Sequence, residues 1–141
     1  SSTGELNDIL QYNYHAVMFD GKGLNEYAEL IDSIAVAEML HLKILGKLIC
    51  ALGAQPVYTA CPPAGFNFYS AKFVSYSRSL KNMVEDDLLA ERHAVMSYAH
   101  MLDHLRNDRV KEVIARILED EKLHLQAFGD LLAKMECPKG G

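Results

Sequence analysis

The chain has 141 residues, 50% of them hydrophobic, and a formal charge of -5, which fits a single domain with a real core and is too short for two comfortable ones. Acidic and basic residues are interleaved without a basic run, so nothing offers nucleic acid an electrostatic platform. Glu38, His41 and Lys43 interrupt the longest apolar stretches, and SSTGELNDIL shows neither a leader nor a cleavage pattern, so neither a membrane span nor membrane association is expected.

Helical periodicity covers four segments, and no useful strand pattern appears. The first runs from about Glu5 to Phe19 and stops at Asp20-Gly21-Lys22-Gly23, a glycine-rich turn suited to ending a helix. The second runs from about Asn25 to Leu52, with Leu30, Ile31, Ile34, Ala37, Leu45, Leu48, Ile49 and Leu52 close to a 3.6-residue period, and stops at Gly53. The third is expected over about 70–105, with Phe73, Leu80, Val84, Leu88, Val95 and Leu102 on one side. Asn107-Asp108 is a natural cap for the fourth, about 109–134.

Between the second and third helices, Gln55 to Phe68 holds Pro56, Pro62, Pro63 and Gly65 among Val57, Tyr58, Phe66 and Phe68. Prolines exclude a continuous helix here, and the apolar residues read as anchors for a connection laid along the body. A helix of about 28 residues spans roughly 42 Å, and an extended link of about 14 to 16 residues reaches roughly 46 to 58 Å. Such a link can return along the molecule and set the second and third helices parallel. The expectation is all-α, a four-helix bundle with one long crossover, the ferritin-like arrangement.

Within that frame AVAEMLHLKIL, residues 35–45, places Glu38 and His41 three apart on one helix face, continuous with Ile34, Leu45 and Leu48. LEDEKLHLQAF, residues 118–128, repeats the arrangement with Glu121 and His124 among Ile117, Leu118, Leu125 and Phe128. One Glu-x-x-His is usually a surface contact; two on successive hairpins carry more weight. Each hairpin also offers a lone glutamate at matching height, Glu5 opposite Glu38 and Glu91 opposite Glu121. Bare charge is costly to bury, but two divalent cations bring +4 against the -4 of Glu5, Glu38, Glu91 and Glu121. The same cations give His41 and His124 a ligand role. Mixed oxygen and nitrogen donors suit iron or manganese, and zinc would also bind.

This constellation resembles the ferritin-like carboxylate proteins, in which two helices each give a Glu and two others each give Glu-x-x-His. GELNDILQYNYHAVMF is similar to the opening of rubrerythrin-related proteins and of spore-coat-type manganese catalases, and AEMLHLKILGKLI to the second metal helix of those catalases. The resemblance covers about residues 4–134. It implies two iron or manganese ions in an oxidoreductase acting on hydrogen peroxide or dioxygen, of peroxidase, catalase or ferroxidase type. An electron-donor protein and a homodimer or larger homo-oligomer belong to the same expectation. The alternative is a non-catalytic protein that stores or handles metal. Departures exist: Leu88 stands where rubrerythrins place a further carboxylate. Manganese catalases hold the fourth-helix glutamate in an outer position, so Glu121 is a ligand or an outer base.

Tyr12 and Tyr98 each follow a lone metal glutamate by seven residues, two turns along one face. They are core residues with satisfied hydroxyls, or they hydrogen-bond a metal carboxylate or relay protons and electrons. Asp87, one turn before Glu91, is either a supporting carboxylate or part of the solvent-facing Glu85-Asp86-Asp87 run. His15, His93, His100 and His104 lack a matched partner pattern, and His93 and His100 fit an ordinary exposed stripe. Cys50, Cys61 and Cys137 are odd in number and widely spaced, which argues against a disulfide framework or a cysteine metal grip and for a reducing, cytoplasmic compartment.

Overall fold

A computed structural model describes residues 4–58 and 70–137. They comprise α1 (Glu5–Asp20), α2 (Asn25–Ala51), a single 3-10 turn (Ala71–Phe73), α3 (Leu80–His104) and α4 (Asp108–Glu136), with no strand among them. The chain divides into two compact units, one ending at Ser75 and the other beginning at Tyr76. No described helix is long and apolar enough to cross a membrane.

In the first unit, α1 and α2 form a helical hairpin. The turn closes where Gly23 takes a φ of 73°, which lets its N–H reach the Asp20 carbonyl and the Leu24 N–H reach that of Phe19. Gly53, at φ 84°, ends α2 in the same way, its N–H donating to Cys50 and the Ala54 N–H to Ile49. These paired bonds satisfy carbonyls that a helix end leaves open, in a conformation glycine adopts without strain.

The hairpin core is half oily. Phe19, Ile31, Ile34, Ala16, Ala28 and Ala35 are buried, and Phe19 meets the Tyr27 ring edge-on at 6.0 Å. Yet the inner side of α1 also carries Glu5, Asn7, Asp8, Gln11 and His15. Leu52, expected in the α2 stripe, is 60% exposed; it caps the helix, beyond the last turn that packs. Val57 and Tyr58, expected as anchors of the connection, are exposed as well. The remaining expected anchors, Phe66 and Phe68, and Cys61 lie outside the described residues. Cys50 and Cys137 are free and exposed.

The helix expected from Ser70 begins only at Leu80. Ahead of it the Ser75 backbone is held on both sides: Gln11 Oε1 accepts its N–H at 2.9 Å, and His15 donates from Nε2 to its carbonyl at 2.8 Å. Serines then settle the start of α3. The Ser79 N–H donates to Ser77 Oγ, and Ser79 Oγ accepts the Asn82 N–H as N-cap. Phe73, assigned to the α3 stripe by its spacing from Leu80, sits instead in the 3-10 turn and is exposed.

The second unit is the α3/α4 hairpin. Asn107 caps α4, its Oδ1 accepting the N–H groups of Arg109 and Val110. A stripe of Val110, Ile114, Ile117, Leu118, Phe128 and Leu131 is buried on α4. The buried residues on α3 are Met83, Val84, Asp87, Ala90, Glu91 and Tyr98. Leu80, Leu88, Val95 and Leu102, expected inside, are half-buried. Lys81 reaches Glu136 at 3.2 Å, and that hydrogen bond and charge raise its ammonium above the ordinary lysine range. The pair is exposed, so it adds little stability.

Candidate metal centre

In the first unit, the 3.6-residue period of α2 puts Glu38 one turn before His41 and turns both inward, while Glu5 opens the facing helix. All three are buried. His41 Nδ1 lies 3.1 Å from Glu38 Oε2 and 3.8 Å from Glu5 Oε2. Each residue offers one ligand atom, and these atoms lie within 4.8 Å of one another.

The second unit repeats the set. His124 Nδ1 lies 3.3 Å from Glu121 Oε2 and 3.8 Å from Glu91 Oε1, again with ligand atoms within 4.8 Å. Glu91 and Glu121 are each 1% exposed, and His124 is part-buried. Two helical hairpins thus carry one triad each, a lone glutamate against a Glu-x-x-His.

Electrostatics explain what such a triad can hold. Two carboxylates packed with one imidazole leave an excess of negative charge in a nearly dry place, an arrangement that costs several kcal/mol in order of magnitude when uncompensated. One divalent cation offsets the two negative charges, and the imidazole supplies a neutral nitrogen. Two oxygen donors and one nitrogen suit iron or manganese better than a thiolate-seeking ion. The donor sets therefore fit a divalent metal in both units.

Tyr12 is completely buried and Tyr98 nearly so, each two turns along its helix from a triad glutamate. Asp87 is fully enclosed, which settles its reading in favour of the interior. Asp8, Gln11 and His15 are buried polar residues that periodicity did not single out. Their signal lay in position: Asp8 is three residues from Glu5, Gln11 and His15 continue the same side of α1, and Asp87 is four from Glu91. His93, His100 and His104 are exposed and belong to neither triad.

The rubrerythrin family model matches residues 1–132. No curated protein matches the chain. Among solved structures, the chain is similar to a bacterioferritin of Mycobacterium tuberculosis, BfrA, with a TM-score of 0.81 and 22% identity over 96% of this chain and 80% of that one. It is similar also to KatB, a manganese catalase from Anabaena PCC7120, with a TM-score of 0.79 and 20% identity over 99% of this chain and 71% of that one. The wild-type KatB structure gives the same values. Likeness at these identities establishes the fold, which is all-α and ferritin-like.

Proposed function

The chain belongs to the rubrerythrin family, and from that premise we propose a dinuclear oxidoreductase that carries iron or manganese and acts on hydrogen peroxide or dioxygen. The observation that supports it is the duplication: each hairpin presents a buried glutamate against a Glu-x-x-His whose glutamate is buried, with His41 buried and His124 part-buried. On this reading the two units form one domain, Glu5, Glu38 and His41 hold one cation, and Glu91, Glu121 and His124 hold the other.

When bound, such a metal pair supplies reversible electron transfer to and from an oxygen substrate. The chain's residues then do three things. Their burial keeps bulk water away from the reacting oxygen atoms. Their fixed helical spacing sets the positions of the carboxylates before metal arrives. Reducing peroxide to water also consumes protons, and we assign proton handling to Glu121, Tyr12 and Tyr98. Glu121 serves as ligand or as adjacent base, and the two tyrosines hold a hydroxyl proton two turns from a ligand carboxylate. An electron-donor protein would complete the cycle.

Metal content per chain, measured on protein purified without added metal or chelator and again after loading with Fe2+ or Mn2+, tests the proposal when combined with peroxide-consumption and ferrous-oxidation assays. Two ions per chain and turnover lost in Glu38→Gln and Glu121→Gln are expected. Tyr98→Phe should load normally and turn over more slowly, by about tenfold or more. A fully loaded chain inert in both assays with both metals would overturn the reading. Iron accumulating far beyond two per chain, without peroxide turnover, would favour storage or handling.

A further inference from the structure

We propose that His100 and His104 form a second, surface site on α3 for one divalent cation of the copper, nickel and zinc class. The pair stands four residues apart near the end of α3, and both side chains are exposed. That spacing brings two side chains over one another on a helix, the geometry by which helical histidine pairs grip a metal. Their ring centroids are 4.3 Å apart with the planes inclined by 39°, so the two imidazoles already share one patch of surface.

The tautomer of His104 supplies an independent indication. Its Nδ1 donates to the His100 carbonyl at 2.9 Å, which places the ring proton on Nδ1 and leaves the Nε2 lone pair for a cation. A ligating histidine characteristically anchors its other nitrogen in this way, on a backbone carbonyl or a carboxylate. The helix end adds to it: His104 is the last residue of α3, where the carbonyl dipoles favour positive charge. A role confined to capping would use the Nδ1 bond alone and would not require His100 to bring its ring alongside.

The site is separate from the buried triad. His100 is nine residues beyond Glu91 on the same helix, about 13 Å along the axis and roughly half a turn around it, so the two face opposite ways. Its donors differ as well. Two imidazoles completed by water favour Cu2+ most strongly, then Ni2+ and Zn2+, and disfavour Mn2+. The surface pair would thus add a nitrogen-only site for borderline cations, with donors unlike the mixed carboxylate and imidazole set of the interior.

The test titrates the full chain and its His100→Gln/His104→Gln double variant side by side, with Cu2+ under electron paramagnetic resonance and with Ni2+ by calorimetry, and reads the difference between the two so that cation taken up by the interior carboxylates cancels. One equivalent of Cu2+ with hyperfine structure from two nitrogens is expected in that difference. His100→Gln and His104→Gln should each weaken Ni2+ binding at the surface pair by about tenfold or more, and the double variant should abolish it, with helicity unchanged by circular dichroism. His93→Gln should bind as the parent does. The proposal fails if the double variant retains the Cu2+ spectrum and Ni2+ affinity of the parent, or if His93→Gln proves as damaging as His104→Gln.

Discussion

Glu38 and Glu121 each carry a carboxylate into a nearly dry interior and face a histidine three residues on, so their energetics turn on whether a cation is present. Without metal, Glu38 stands close to Glu5, and the like charges repel where water screens little. Glu38→Gln keeps the shape and removes one charge. The metal-free variant should therefore be more stable than its parent by about 1 to 2 kcal/mol, while the stabilisation that Mn2+ or Fe2+ confers is lost. Thermal melts of both proteins with and without metal decide it; a metal-free variant that melts below its parent contradicts the account. The triad residues were readable in advance because helix geometry alone fixes which residues share a face. Asp8, Gln11 and His15 were not, since a polar residue without a repeated partner pattern looks the same whether it faces solvent or a neighbour. Their burial is decided by what packs against them.

Among the elements, the segment ahead of α3 shows where local pattern misleads. Phe73 and Leu80 are seven apart, a helical interval, yet Gln11 and His15 engage the Ser75 backbone and the serines at 77 and 79 hold the chain out of helix until Leu80. Periodicity counts apolar positions and does not register a backbone held by side chains some 60 residues away. Gln11→Leu removes the acceptor of the Ser75 N–H. That amide should exchange with solvent faster by about tenfold, roughly 1.4 kcal/mol of local opening, while amides in the middle of α2 keep their protection; hydrogen exchange read by NMR resolves the two. His15→Ala should cost more, about 3 kcal/mol in a denaturant titration, because it also leaves a hole where a fully buried ring stood. The α4 cap, by contrast, was legible, because Asn107 needs only its own next three residues. Asn107→Ala should cost about 1 kcal/mol and Asn107→Asp should restore most of it.

For the whole molecule, the family and the ferritin-like fold constrain what the duplicated triad means, and the proposed shared centre makes a prediction that two independent sites would not. Two ions, each binding only the folded chain at about 30 times its dissociation constant, together add about 4 kcal/mol. In a chain of this length that is a rise in melting temperature on the order of 10 °C, reversed by a chelator. Under independent sites, Glu38→Gln would lose one ion and half of that rise, Glu121→Gln the other half, and the double variant the sum. Under a shared centre, losing a carboxylate from either hairpin leaves the remaining cation poorly neutralised and badly coordinated. Each single variant should then forfeit most of the rise, and the double variant should forfeit little more than either one. The coupling energy from that cycle should exceed about 1 kcal/mol, against the few tenths expected for distant, unconnected positions. Elemental analysis of the same proteins supplies a second readout, with both single variants falling well below one ion per chain. Strict additivity, with one ion kept by each single variant, would show that the hairpins bind metal separately and would remove the basis for dinuclear chemistry.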